Sequence, residues 1–121
     1  MKTIAEMKET ARNFFIENGF VKEDYFHEDT YYIPGKCVIN SEHVVCYNGE
    51  EYEVKRKDGL AITVQETYRN NGTAENQSIY IEVITWSGCS GRRLLREKLY
   101  SKHGAKKTAA VLQKVLEAYN G

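Results

Sequence analysis

The run Trp86-Ser-Gly-Cys-Ser-Gly-Arg-Arg93, with Arg96 just beyond it, is the part of this chain best equipped for chemistry. Small residues let a backbone turn tightly and present successive amide N–H groups, which together form an anion-binding concavity. Arginine adds a planar fork that matches phosphate bidentately. Trp86 offers a flat π face for a base. A stacking surface, backbone donors and guanidinium clamps are the parts of a nucleotide site, and Trp86, Gly88, Ser90, Gly91, Arg92, Arg93 and Arg96 are its candidate residues. The competing reading is a hairpin turn leading into a basic edge strand, with Trp86 in the core.

Two further residues belong to the candidate set. Arg56 lies in the run Lys55-Arg56-Lys57 and extends the same positive surface, unless that run is only a solvated hairpin tip. Lys106, with Lys107, falls near the apparent start of the closing helix, where positive charge opposes the helix dipole unless an anion occupies the helix end. If that helix instead begins near Ser101, both lysines are mid-helix and unremarkable.

Charge supports an anionic ligand. Residues 87–121 carry eight basic side chains against Glu97 and Glu117, whereas the first 86 residues hold nine basic and fifteen acidic ones. The formal net charge of zero hides a dipolar chain. A basic block in a neutral protein is a site for something anionic, or else a solvated helix face with ordinary surface lysines.

Other chemistries find less support. There is no Walker loop and no G-x-G-x-x-G fingerprint. His27, His43 and His103 are isolated, and neither a nucleophile elbow nor a zinc-deaminase motif occurs. The expectation is therefore no catalytic residue, no metal, no cofactor and no enzyme activity. The acidic stretch Glu23-Asp24 to Glu28-Asp29 lacks the ligand alternation of a calcium loop and reads as a solvated loop. Cys37, Cys46 and Cys89 are odd in number and unpaired in spacing, against a disulfide framework or a zinc ribbon. Cys37 and Cys46 read as core, Cys89 as a small filler in a turn.

A chain of 121 residues is expected to form one domain, 1–121, with a modest core. Hydrophobic residues make up 41% and charged residues 28%, which excludes disorder. No apolar run approaches the roughly 18–20 residues that cross a bilayer, and no secretory stretch opens the chain, so the expected location is the cytoplasm. The sequons Asn71-Gly-Thr73 and Asn76-Gln-Ser78 are then chance matches.

These residues must be positioned by a small set of elements. Thr3 and Glu6 form a capping box, and Ile4, Met7, Ala11, Phe14 and Phe15 recur at helical spacing up to Asn18-Gly19. Phe20 folds back on Phe15. An acidic, aromatic segment follows to Lys36, with Pro34-Gly35 as a turn. Candidate strands are Cys37–Asn40, His43–Tyr47, Glu51–Arg56, Leu60–Arg69 and Gln77–Trp86. Asn48-Gly49 and Asp58-Gly59 are hairpin signals, and Asn70 to Glu75 is a polar loop. Leu60, Ile62 and Val64 share one strand face, as do Ile79, Ile81 and Val83. Arg92–Tyr100 fits a last strand or a short helix, the strand being preferred. A closing helix runs from about Gly104 to Tyr119. The fold class is α+β: an antiparallel β-meander of about five to six strands with one N-terminal and one C-terminal helix, both on one face of the sheet.

In overall organisation and in the Trp86-to-Arg96 region the chain resembles the anti-Thoeris sponge proteins of phages, small α+β oligomers that sequester cyclic ADP-ribose-type signals without cleaving them. The resemblance implies a non-enzymatic counter-defence protein, acting in a host cytoplasm, with arginines on phosphates and an aromatic on adenine. Ala105-Lys-Lys-Thr-Ala-Ala110 is also similar to the basic closing helix of double-stranded RNA-binding domains, but the meander is too long for that module.

Three readings follow. The first is sequestration of a small anionic nucleotide. The second is an acidic DNA mimic, anti-CRISPR-like, that binds a host defence protein through Glu23 to Glu53. The third is a nucleic-acid-binding accessory protein, disfavoured because the acidic half repels a phosphate backbone. A homo-oligomer is expected, because Tyr25, Phe26, Tyr31 and Tyr32 cluster in one irregular segment and gathered aromatics mark interfaces. No membrane partner is expected.

Overall fold

Thr3 and Glu6 cap the first helix reciprocally: the Glu6 N–H donates to Thr3 Oγ1 at 3.1 Å and the Thr3 N–H to Glu6 Oε1 at 3.3 Å. Helix α1 spans Ile4–Glu17 and buries Met7, Ala11 and Phe15. It ends in a Schellman motif. Gly19 takes φ 88°, the Phe20 N–H reaches Phe15 O at 3.0 Å, and the two rings pack 5.4 Å apart. The computed structural model describes residues 2–25, 28–67 and 77–121, except the side chains of Asp24 and Tyr25. The loop Asn70–Glu75, the sequon Asn71-Gly-Thr73, Asn76 of the second sequon, Phe26 and His27 therefore lie outside the described residues.

Six antiparallel strands follow: β1 (Val21–Tyr25), β2 (Glu28–Tyr32), β3 (Cys37–Val45), β4 (Glu51–Glu66), β5 (Ser78–Gly88) and β6 (Ser90–Tyr100). Helix α2 (Ala105–Asn120) closes the chain. The sheet order is β1-β2-β4-β5-β6, with β3 also on β4. Registers show that β2 and β3 behave as one long strand. Tyr31 pairs with Ile62 and Cys37 with Gly59, so both lie end to end along the same edge of β4, with extra residues looped out around Pro34-Gly35. The result is a meander, shown as an α+β fold with a helix at each end.

Several sequence boundaries move. Cys37–Asn40 and His43–Tyr47 are one strand, β3. Glu51–Arg56 and Leu60–Arg69 are also one, β4, which runs through Asp58-Gly59 and ends at Glu66. Asn48-Gly49 does turn the β3–β4 hairpin, but Asp58-Gly59 turns nothing. Gly59 takes φ 118° inside the strand, where the chain passes so close to Lys36 that a Cβ would stand 2.1 Å from its carbonyl oxygen. The Leu60 N–H donates to that carbonyl at 2.8 Å. The glycine marks a bend opposite the loop at Pro34-Gly35. The run Lys55-Arg56-Lys57 is therefore mid-strand and not a hairpin tip, and Lys57 is buried. The acidic segment is no solvated loop either: it forms the β1–β2 hairpin, and Glu23 pairs with Lys55 and Glu28 with Lys57.

Helices α1 and α2 cover one face of the sheet. Met7, Phe15, Leu112, Val115 and Tyr119 pack on Tyr31, Ile62, Val64, Ile79, Ile81, Val83 and Leu99 in a single core. Tyr119 ties this layer together, donating its hydroxyl proton to Leu60 O and accepting from the Ile33 N–H, both at 3.0 Å. Burial raises its pKa. Tyr31 is wholly buried in this core and so is no interface aromatic. Cys37 is buried, Cys46 only half-buried, and Cys89 exposed. No helix among the described residues is long and apolar enough to cross a membrane.

Candidate functional site

The sheet face turned away from the helices is polar and carries the chemistry. Strand alternation places Thr30, Thr63, Tyr80, Glu82 and Arg96 there, since residues beside them point into the core, and register together with contacts to Trp86 and Glu82 adds Lys57, Trp86 and Arg93. Glu82 sits at its centre with 7% of its side chain exposed. An ionised carboxylate so placed needs partners. It has three: Arg93 Nη1 at 3.5 Å, Arg96 Nε at 3.4 Å and the Gln65 amide at 3.1 Å. Two guanidinium charges thus meet one carboxylate, which leaves an excess of one positive charge on their half-exposed outer sides. Arg96 also lies over the Tyr80 ring at 4.3 Å, with Lys98 at 5.1 Å from the same ring.

A β-bulge on β6, opposite the Val83–Ile84 step of β5, explains how two arginines three apart share this face. Arg96 pairs with Glu82 and Arg93 with Ile84, so the extra residue, Leu94, shifts the alternation. Arg92 consequently points the other way, opposite Thr85.

Trp86 is flanked by glycine on both sides, Gly59 on β4 and Gly91 on β6. Its ring lies against Gly91, where a Cβ would come within 2.8 Å of Cζ3. Lys57 Nζ stands 4.6 Å from the ring centroid and also meets Glu28 Oε1 and Thr30 Oγ1, both at 3.4 Å. The indole Nε1 is buried without a hydrogen-bond partner among the described residues, as is the hydroxyl of Thr63, farther along the same face opposite Glu82. A cavity of about 210 Å³ opens beside the indole, lined by Glu28, Lys55, Lys57, Trp86, Gly88 and Cys89 among others.

Of the sequence candidates, the structure brings Trp86, Gly91, Arg93 and Arg96 onto one face and sets Gly88 and Ser90 at its rim, in the tight β5–β6 turn. That turn is not the expected backbone cradle, because the Gly88 N–H already donates to Asp58 Oδ1 at 3.0 Å. Trp86 is less a bare stacking plate than a hydrogen-bond donor, since Lys57 already shares its ring. Arg92 faces away. Arg56, on the opposite face of β4 from Lys57, pairs with Glu42. Lys106 lies in the first turn of α2, past the far end of β6. Within the run Lys55-Arg56-Lys57 the sequence pointed to Arg56, where the structure places Lys57 on this face, and Glu82 was missed. A glutamate alternating with apolar residues in Ile79-Tyr-Ile-Glu-Val83 was the available sign of a polar face opposite the core.

Among the described residues no group of three or more His, Cys, Asp or Glu side chains could hold a metal ion. Comparison with protein families, curated proteins and solved structures finds nothing that matches this chain.

Proposed function

We propose that the chain binds and sequesters a small anionic, nucleotide-type ligand on the open face of its sheet, without turning it over. One observation carries this reading: Arg93 and Arg96 converge on a single buried carboxylate, on the same sheet face as an indole N–H that has no partner among the described residues. A phosphate accepts from the outer edges of both guanidiniums, where charge-assisted bonds are strong. The indole N–H, buried without a partner, is costly unless a ligand acceptor completes it. Lys57, in the cavity wall, is itself paired with Glu28, so the excess positive charge of this face comes from Arg93 and Arg96.

In this reading the protein is a cytoplasmic counter-defence sponge of the kind it resembles, built from clamps rather than from a nucleophile and a base. The acidic-mimic alternative is less favoured, since Glu23, Glu28 and Glu42 each have a basic partner on β4. The test is mass spectrometry of small molecules released by heating purified protein. Release of an intact, phosphate-bearing nucleotide supports sequestration. Products in excess of the protein present would make it an enzyme.

A further inference from the structure

The start of α2 is a second concentration of positive charge, well separated in the fold from Trp86 and Arg96. The helix begins at Ala105, with Gly104 as N-cap, so Lys106 and Lys107 do stand in its first turn. Gly104 supplies no side-chain cap, and no acidic residue occupies that turn. The Thr108 N–H is the first satisfied within the helix, donating to Gly104 O at 3.0 Å. The amides of Ala105, Lys106 and Lys107 come before it, at the positive end of the dipole. The chain start is drawn to the same place, because the Lys2 N–H donates to Ser101 O at 3.3 Å.

An independent observation points to a ligand. A cavity of about 310 Å³ runs from this helix end along the groove between α1 and α2, with Lys2, Phe14, Ala105, Thr108, Ala109 and Leu112 in its wall. Thr108 is 3% exposed, and its hydroxyl oxygen has no hydrogen-bond partner among the described residues. A buried hydroxyl without a partner is uncommon and costly. Thr10, Asn13 and Glu17 form the α1 side of the groove. The lysines act together electrically: His103 is held below its ordinary pKa by burial first, then by Lys107, Lys102 and Lys2.

We propose that the N-terminus of α2 is an anion site for a phosphate monoester with an apolar body. The phosphate caps the amides of Ala105, Lys106 and Lys107 and accepts from the Thr108 hydroxyl. The apolar part lies along Phe14, Ala109 and Leu112. This site is independent of the open sheet face, and the experiment reads the two separately.

The probe is inorganic phosphate, titrated at constant ionic strength into the full chain and followed by amide nitrogen–proton NMR. Saturable shifts are expected at Ala105, Lys106 and Lys107, with the His103 midpoint moving up. Gly104→Asp installs a competing carboxylate. It should fold, because Gly104 has ordinary extended geometry and a Cβ there meets nothing within 4 Å. It should weaken phosphate binding by about tenfold or more. Thr108→Val keeps the shape but removes the donor and should weaken binding by roughly tenfold. Phenyl phosphate should bind about tenfold more tightly than phosphate, through its ring in the groove. Absence of saturable shifts at these amides overturns the proposal. So does unchanged phosphate affinity in either variant, or equal affinity for the two probes.

Discussion

The indole of Trp86 rests on Gly91, the residue directly across from it on β6, and fills the space a Cβ would take. The ring is thereby pinned toward β6 while its N–H has no partner among the described residues. Gly91→Ala would place a methyl within 2.8 Å of the ring and force it off this seat. The expected cost is about 1–3 kcal/mol of stability, as for other overpacked sites. A changed tryptophan emission and a lower midpoint in urea unfolding check it.

Glu82 should behave as an internal competitor for the ligand. Glu82→Gln keeps the shape and an acceptor for Gln65 but removes the charge that occupies Arg93 and Arg96. Nucleotide affinity should rise severalfold, while stability falls by about 1–3 kcal/mol from the loss of charge-assisted bonds. Unfolding curves and calorimetry on the same variant separate the two effects. A loss of stability with unchanged affinity would make Glu82 purely structural.

Gly59 should be the least replaceable glycine in the sheet. Its φ of 118° and the 2.1 Å approach of a Cβ to the Lys36 carbonyl act together. Gly59→Ala is expected to destabilise by about 3 kcal/mol or more, since strain and a backbone clash add. Asp58-Gly59 also shows why part of the fold was not legible in the sequence. The same dipeptide that turns a hairpin serves a bend within a strand, and only the looped-out residues near Pro34 on the neighbouring strand tell the two apart. The helices were legible because their signals are local: Thr3 with Glu6, and Phe15 with Phe20. The site was legible only in part. Arg93 and Arg96 stood out by type, but the bulge at Leu94 that sends Arg92 to the other face depends on pairing with β5. Lys57 reads as a hairpin-tip lysine because its burial depends on Glu28 and Thr30 of β2, a pairing distant in sequence.

Stability should fall in mild acid through His103. Its Nδ1 accepts the Tyr100 N–H at 3.4 Å, which requires the neutral ring. Burial, Lys107, Lys102 and Lys2 lower its pKa in the folded state. The unfolded chain therefore binds more protons, so stability is lost as pH falls from about 6.5 toward the lower folded value. His103→Gln should flatten this part of the curve, measured by urea unfolding between pH 7.5 and pH 5 (about the range in which histidine titrates). An equally steep loss in the variant would remove His103 from the account.

The chain should self-associate through the β3 edge instead of the 25–32 segment. Among the described residues strand β3 pairs with β4 alone, and Val38, Val45, Tyr47 and Tyr52 are the exposed apolar residues of this ribbon. Antiparallel pairing of two β3 strands about Ser41 sets Val38 against Val44 and Asn40 against Glu42, with no like charges opposed. Sedimentation of the parent and of Val44→Lys should show the parent associating and the variant monomeric. A parent that stays monomeric contradicts this.

The central claim is the anion clamp on the open face, and calorimetric titration with cyclic ADP-ribose tests it most directly. The parent should bind at one site per chain and release the ligand intact after denaturation. Each arginine-to-phosphate contact contributes about 1.5–3 kcal/mol, so Arg93→Ala and Arg96→Ala should each weaken binding by roughly ten- to a hundredfold. Arg92→Ala, on the opposite face, should bind as the parent does. No binding by the parent, or equal binding by all three variants, would contradict the account.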